Sequence, residues 1–245
     1  ASDGSEDWTG FIKGPGSLGD AWCHRVFEDS AGGIIMIGRV QYAGETTPWV
    51  VRLDASRNLH WSRSYTYAGA VVVLNDGILL DDGIVLVGKH NAVSASLQHG
   101  YVLKLGLDGE PVWERTLVEA EEGTTFHAVS ETLNGDLVAV GRWELGQKLW
   151  AVSLSSAGDL NWSLHLDDPN VTGVRWDKGV AVHAGTGAIL IAGDGGSSGD
   201  SAGWLFRLTY AGDVQWFKSA QKRDIALNPL TSGMTALYAD QDRVV

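Results

Sequence analysis

The chain has little that could cross-link it or anchor it in a membrane. Its single cysteine, Cys23, cannot form an internal disulfide, so burial and strand pairing must stabilise the fold. No apolar run approaches the roughly 18 residues of a membrane-spanning helix, which predicts no membrane insertion. Basic residues are also scarce, since 18 Lys and Arg stand against 30 Asp and Glu. The resulting net charge of -12 repels phosphate backbones, and we predict no nucleic-acid partner.

Apolar residues, glycine and tryptophan are abundant instead. The hydrophobic fraction of 44% supplies enough core for a globular protein, and 32 Gly against 5 Pro supply many tight turns. Trp61, Trp113, Trp162 and Trp216 are separated by 52, 49 and 54 residues. That spacing is the period of one blade in a β-propeller.

A repeated unit precedes each of these tryptophans. Its clearest element is a short apolar run ending in glycine, which we name strand B. Runs of this kind, bounded by turn residues, are typical of strands covered on both faces. The four runs are Ile34-Ile-Met-Ile-Gly, Ile84-Val-Leu-Val-Gly, Leu137-Val-Ala-Val-Gly and Ile189-Leu-Ile-Ala-Gly.

Three further strands complete each unit. Strand A precedes strand B, as in His24 to Asp29 and Thr125 to Thr132. Strand C begins with an aromatic residue and alternates, as in Trp49-Val-Val-Arg-Leu, which indicates one partly solvated face. A turn with Gly or Asn, which tolerate positive φ, leads into strand D with its tryptophan. Four antiparallel strands per unit form a propeller blade.

The predicted fold is all-β, a single β-propeller domain over residues 1–245 with four antiparallel strands in each blade. Four blades fall at about 20–66, 67–118, 119–167 and 168–220. The remaining segments, 221–245 and 1–12, complement each other. The first supplies strands A, B and the start of C, while Ala1 to Trp8 supplies a turn and its tryptophan. We predict a fifth blade closed by both termini, which would cover two sheet edges.

The segments that end in these tryptophans share one pattern. They are Leu53-Asp-Ala-Ser-Arg-Asn-Leu-His-Trp, Leu105-Gly-Leu-Asp-Gly-Glu-Pro-Val-Trp, Leu154-Ser-Ser-Ala-Gly-Asp-Leu-Asn-Trp and Ala1-Ser-Asp-Gly-Ser-Glu-Asp-Trp. The pattern resembles the tryptophan-docking repeat of quinoprotein-like bacterial β-propellers. The resemblance implies that each docking tryptophan packs between neighbouring blades, and it implies fold rather than function. Five units are fewer than the eight of quinoprotein dehydrogenases, the adjacent-cysteine pair near their quinone is missing, and no cofactor is predicted.

Three tryptophans lie outside the docking register and are predicted to contact a ligand. They are Trp22, Trp143 and Trp176, at the start of strand A or just past strand B. In a propeller, the entry to strand A and the exit from strand B lie on one face, around the mouth of the central channel. The residue after each strand-B glycine belongs to the same candidate ligand site. These residues are Arg39, Lys89, Arg142 and Asp194.

Two histidines occupy equivalent positions on strand A, since His24 and His127 each precede a strand-B glycine by 14 residues. Side chains four residues apart on a regular strand share a face, which places His24 on the face of Glu28 and His127 on that of Glu131. At about 13 Å along an extended strand, each pair is too far apart for direct contact. Glu28, Asp76 and Glu131 are the candidate catalytic carboxylates, since glycoside hydrolysis requires two carboxyl groups about 5 to 9.5 Å apart. A metal site built from His24, His127 and His183 is a further alternative, although no metal is predicted.

The predicted function is non-catalytic binding of a glycan or a protein partner across the central mouth. The alternative is an enzyme at the same mouth, either a glycoside hydrolase or lyase or a metal-dependent enzyme. The sequence leaves open whether the chain is an enzyme. Because it begins with Ala1 and not Met, it fits either a secreted or periplasmic protein after signal-peptide removal or a piece of a longer precursor. We predict a secreted or periplasmic location.

Overall fold

The computed structural model describes residues 12, 20–42, 45–67, 70–92, 97–118, 123–143, 148–166, 175–184, 187–197, 200–223, 229–230, 239–240 and 243–244. The chain divides into two compact units. Residues 1–66 contain one of the four repeated sheets, and residues 67–245 contain the other three. The protein is all-β, with four repeated four-stranded antiparallel sheets that resemble propeller blades. Nowhere in the described part of the chain is there a helix with the length and apolar character required to cross a membrane.

Within each of the four sheets, every strand pairs with the next one along the chain. The first sheet contains β1 (Ala21–Glu28), β2 (Ile34–Tyr42), β3 (Glu45–Leu53) and β4 (Leu59–Ser64). The second contains β5 (Ala70–Leu80), β6 (Gly83–Ala92), β7 (His99–Leu105) and β8 (Pro111–Leu117). The third contains β9 (Thr124–Glu131), β10 (Leu137–Trp143), β11 (Lys148–Leu154) and β12 (Leu160–Leu166). The fourth contains β13 (Arg175–His183), β14 (Ile189–Ser197), β15 (Asp200–Leu208) and β16 (Val214–Arg223). The predicted strand order A to D is confirmed in these four sheets.

Strand B is buried on both faces in the second, third and fourth sheets, as its continuous apolar run predicts, whereas Ile34 and Met36 of β2 are only half-buried. In β6, Ile84, Val85, Leu86 and Val87 are all fully buried, and the corresponding residues of β10 and β14 are buried as well. Successive side chains of a strand point to opposite faces. An unbroken run of buried residues therefore requires cover on both sides of the sheet.

The turns between strands C and D contain one residue of positive φ in every sheet. In three turns this residue is glycine: Gly109, Gly158 and Gly212 have φ of 80°, 83° and 91°. In the first sheet the residue is Arg57, at φ 68°, and not the expected Asn58. The reason is the turn register, because the Arg57 N–H donates to the Asp54 carbonyl (2.9 Å), as the Gly109 N–H donates to that of Gly106 (2.9 Å). A second bond, from Arg57 Nη1 to the Gly32 carbonyl (2.7 Å), helps to offset the cost of this conformation.

Neighbouring sheets of the second unit pack face to face. One core joins the second sheet to the third, with Val85, Val87 and Val102 on one side and Phe126 and Trp150 on the other. The Phe126 and Trp150 rings stack at 4.6 Å between centroids. A second core joins the third sheet to the fourth, and it includes Val140, Ala151, Ile191, Trp204 and Phe206.

Trp113 and Trp162 dock on the next sheet, as the resemblance implied. Trp113, on β8, donates from Nε1 to the Ser156 carbonyl (3.1 Å) in the turn of the third sheet. Trp162, on β12, donates in the same way to the Tyr210 carbonyl (2.9 Å) of the fourth sheet. Each indole lies against the turn glycine, because a Cβ on Gly158 would come within 2.9 Å of Trp113. The docking role predicted from sequence is confirmed at these two positions.

The chain termini yield only short described strands. β17 (Pro229–Leu230) pairs with β16, and β18 (Ala239–Asp240) pairs with β19 (Arg243–Val244). Residues 1–11, with Trp8, and most of 224–245 lie outside the described residues. The predicted fifth blade falls on these segments.

Candidate functional site

In each of the four sheets, strand A has a β-bulge opposite the glycine that ends strand B. In the second sheet, Leu74 pairs with Gly88 and Asp76 pairs with Val87, which leaves Asn75 as the extra residue. The same shift occurs in the other three sheets. The bulged residues are His24, Asn75, His127 and Val180. Bulges redirect side chains and are common beside binding sites.

The bulge explains why strand B ends in glycine. A Cβ on Gly38 would lie 1.8 Å from the Trp22 carbonyl oxygen, one on Gly88 1.9 Å from that of Val73, and one on Gly141 1.8 Å from that of Thr125. No side chain fits at such distances. The glycine thus allows strand A to approach strand B closely at the end where the candidate residues lie.

His24 and His127, which sequence counting singled out, are both bulged residues. The bulge interrupts the regular alternation that was assumed for the four-residue steps to Glu28 and Glu131. In the second sheet, Asn75 occupies this position, and its Nδ2 donates to the Phe126 carbonyl (2.7 Å), which ties β5 to β9. The sequence signal for Asn75 was its distance of 13 residues from Gly88, one residue short of the spacing of the histidines.

In the first unit, the structure brings together two of the predicted ligand-binding residues. Trp22 and Arg39 are paired across β1 and β2, and the Arg39 guanidinium lies over the Trp22 ring at 4.8 Å from its centroid. Trp22 remains 37% exposed. Burial, together with the positive charge of Arg39, lowers the pKa of His24.

In the second unit, residues of two facing sheets form a group that we name the inter-sheet site. It comprises Lys89, Asn91 and Gln98 of the second sheet and Trp143, Lys148 and His165 of the third. Because successive side chains of a strand point to opposite faces, Lys89 and Asn91 lie on the same face of β6 as Val85 and Val87. Trp143 packs against the core that these two valines help to form. Lys89 and Trp143 were predicted from the sequence, whereas the other four residues were not.

Trp143 has aromatic and cationic neighbours on its own sheet. Its indole stacks on the exposed His165 ring, with centroids 4.3 Å apart and planes 20° apart. Lys148 Nζ lies 6.0 Å from the indole centroid. Among the described residues, Trp143 Nε1 and Asn91 Oδ1 are buried atoms without a hydrogen-bond partner. A donor and an acceptor therefore remain unpaired in the same site.

Gln98 is fixed between the two sheets. Its carbonyl accepts the Thr124 N–H (2.7 Å), and its Oε1 accepts a bond from Lys89 Nζ (2.7 Å). Thr124 Oγ1 accepts in turn the Gly100 N–H (2.7 Å). Because Thr124 also pairs with Trp143 across β9 and β10, the polar and aromatic halves of the site are connected through the backbone.

The remaining predicted ligand residues are placed less completely. Arg142 is half-buried on the face of β10 opposite Trp143, since adjacent residues of a strand point to opposite faces. Trp176 and Asp194 belong to the paired strands β13 and β14. Their side chains lie outside the described residues.

The three candidate carboxylates differ in their surroundings. Asp76 is 3% exposed, and its Oδ2 accepts the Val129 N–H (3.1 Å), so it serves the structure. Glu28 and Glu131 are exposed at the last positions of β1 and β9, far along each strand from its bulge. Burial and the nearby carboxylates of Asp81 and Asp82 raise the pKa of Glu131. The alternative catalytic hypothesis gains no support from these positions.

The metal alternative is not supported either. Among the side chains that the structure describes, no group of three or more His, Cys, Asp or Glu could hold one metal ion. His183 was to be one ligand of that site, and its Nε2 is buried without a partner in the described part of the chain.

Comparison with known proteins adds no family. No protein-family model matches the chain, and no curated protein matches its sequence at a significant level. Inference about function therefore depends on the repeat and on the side chains of the site.

Proposed function

We propose that this protein is a non-catalytic, five-bladed β-propeller of the tryptophan-docking type that binds a glycan, and that it acts in a secreted or periplasmic location. The binding residues are those of the inter-sheet site.

The observation that carries this proposal is the combination of groups around Trp143. Sugar recognition requires an aromatic surface for the apolar face of the ring and fixed polar groups for the hydroxyls. Trp143 is half-buried, and its indole N–H has no hydrogen-bond partner in the described part of the chain. Lys89, Gln98 and Asn91 supply an ammonium group and two amides on the facing sheet. The Gln98 bonds hold these groups in place before a ligand arrives, which lowers the entropic cost of binding.

The choice of binding over catalysis follows from the carboxylates. Hydrolysis of a glycosidic bond requires an acid and a second carboxylate on either side of the bond. Asp76 is buried and accepts a backbone N–H. Glu131 is the last residue of β9, whereas Thr124, which pairs with Trp143, is its first residue. Among the residues that the structure describes, the inter-sheet site contains no carboxylate of its own.

Substitution of Trp143 tests the proposed site. We expect Trp143→Ala to lower affinity for the bound glycan by about ten-fold or more, because aromatic contacts dominate many binding sites. The measurement is a glycan-array screen of the wild-type protein followed by calorimetry with the best oligosaccharide. Trp22→Ala is the matched control and should have a smaller effect.

Two outcomes would contradict this proposal. One is an array without binding for the folded protein, together with capture of a protein partner in a pull-down. The other is glycan affinity that Trp143→Ala leaves unchanged while Trp22→Ala abolishes it. A folded state confirmed by circular dichroism makes both outcomes interpretable.

The fifth blade requires its own test. In the proposed closure, the chain after β16 supplies the inner strands of the missing unit, and Ala1 to Trp8 supplies its turn and tryptophan, whereas the two described residues of β17 pair with β16. Closing the ring would cover the edges of two sheets that otherwise present unpaired backbone groups. We therefore propose that the two ends meet in one sheet.

Removal of residues 1–12 should lower the melting temperature of the whole protein if this sheet closes the ring. Spin labels on Ser5 and Gln241, in a Cys23→Ser background, should give a single short distance in the intact chain. A broad distribution of long distances, with a melting temperature unaffected by the truncation, would exclude closure. Removal of residues 1–4 alone, which leaves Trp8 in place, is the control for loss of chain.

A further inference from the structure

The second sheet departs from its neighbours at one repeated contact. In the first and third sheets, a tryptophan of strand C donates its Nε1–H to the serine that directly follows the docking tryptophan on strand D. These pairs are Trp49 with Ser62 and Trp150 with Ser163, both at 2.8 Å. In the second sheet the equivalent pair is Tyr101 and Glu114, at 2.5 Å. Here a phenol and a carboxylate replace an indole and a hydroxyl.

Tyr101 is the middle of a hydrogen-bonded chain. Its hydroxyl donates to Glu114 Oε2, so the Tyr67 hydroxyl, 2.6 Å away, must be the donor to Tyr101. Burial raises the pKa of Tyr101, and the bond to Glu114 raises it further. Burial also raises the pKa of Tyr67. The two hydrogen bonds hold the Tyr101 ring in a fixed position.

Two histidines lie beside this ring on the same face of the sheet. His90 on β6 is the direct cross-strand partner of His99 on β7. Directly opposed residues of an antiparallel pair have Cβ atoms about 4.5 to 5.5 Å apart, on one face. The His90 ring stacks on Tyr101, at 5.8 Å between centroids and 26° between planes. It also meets the edge of Tyr67 at 6.4 Å.

The nitrogens of these two imidazoles are not equivalent. Nδ1 of His90 and Nδ1 of His99 are both buried, and neither has a hydrogen-bond partner among the described residues. Both side chains are half-buried. The two imidazoles therefore lie directly opposed on one face, an arrangement in which a pair of histidines can share one metal ion.

We propose that His90 and His99 bind one divalent transition-metal ion through one imidazole nitrogen each. Imidazole nitrogen favours Cu²⁺, Ni²⁺ and Zn²⁺ over Mg²⁺ and Ca²⁺, with Cu²⁺ bound most tightly. No third His, Cys, Asp or Glu in the described residues completes this pair, so water or a ligand donor fills the other positions. Tyr101 and Tyr67 are positioning residues, because their hydrogen-bonded rings fix the His90 imidazole.

Copper titration of the full-length protein tests this proposal. Cys23 is exposed and could itself bind or reduce copper, so the parent for all variants is Cys23→Ser. We expect one Cu²⁺ per chain in calorimetry and hyperfine coupling to two imidazole nitrogens in electron paramagnetic resonance. Either His90→Gln or His99→Gln should weaken this site by about ten-fold or more and remove one of the two nitrogens.

Three variants make the experiment decisive. His60→Gln changes an exposed histidine of the first sheet and should leave the copper site unchanged. Tyr101→Phe keeps the ring and removes the hydroxyl, so it should weaken copper binding less than the histidine variants while both nitrogens remain coupled. A folded His90→Gln/His99→Gln double variant that binds copper as tightly as the parent would overturn the proposal. So would a parent that shows no two-nitrogen copper spectrum.

Discussion

Replacement of Trp113 by alanine should lower the free energy of unfolding by about 3 kcal/mol, because large-to-small changes of buried aromatic residues cost about 3 to 5 kcal/mol and this indole is half-buried. The variant loses the bond to the Ser156 carbonyl and leaves a space against Gly158. Chemical denaturation followed by tryptophan fluorescence and by circular dichroism measures the change.

Trp113→Phe separates packing from hydrogen bonding in this prediction. Phenylalanine retains part of the contact with the turn of the third sheet and lacks the N–H donor, so its cost should be smaller than that of alanine. Leu133→Ala is a suitable surface control, since Leu133 is 70% exposed. If Trp113→Ala proves no more destabilising than Leu133→Ala, the tryptophan does not stabilise the contact between the second and third sheets.

Gly141→Ala should be at least as damaging, with an expected loss of about 3 kcal/mol or more. The added Cβ would lie 1.8 Å from the Thr125 carbonyl oxygen, and that atom belongs to the backbone of β9 and cannot rotate away. Relief requires β9 to move from β10 near the bulge at His127. Thermal and chemical denaturation measure the effect.

Gly187→Ala is the matched control for this substitution. Gly187 has φ of 74°, and a Cβ there would meet no atom within 4 Å, so its cost comes from backbone conformation alone. That cost is about 1 kcal/mol. Equal losses in Gly141→Ala and Gly187→Ala would show that β9 does not approach β10 as closely as the bulge requires.

The repeat unit was predictable because its physical causes are local. A continuous β-branched run indicates a strand buried on both faces, and β6 and β10 are such strands. The resemblance to tryptophan-docking repeats implied docking between neighbouring blades, which Trp113 and Trp162 confirm. The positive φ at Arg57 was missed because the turn register, set by the bond to Asp54, matters more there than residue preference.

The candidate sites were less predictable because their members come from different strands and different repeats. Lys89 and Trp143 were identified by their distance from a glycine, but Gln98 and His165 have no repeated position that marks them. The pair His90 and His99 was missed for a related reason. Its members are adjacent only through the register of β6 and β7. The one sequence signal near them is Glu114, which follows the docking tryptophan of the second sheet where the first and third sheets have serine.

The amino-acid sequence by itself determined the all-β class, the four-strand unit and the repeated position of the tryptophan on strand D, because side-chain periodicity and turn residues act over a few neighbours along the chain. Only the tertiary structure decided where the bulges lie, why Gly88 and Gly141 have no alternative, and which polar side chains meet. These features depend on the register between strands and on the packing of one sheet against another, and both join residues that are distant in the chain.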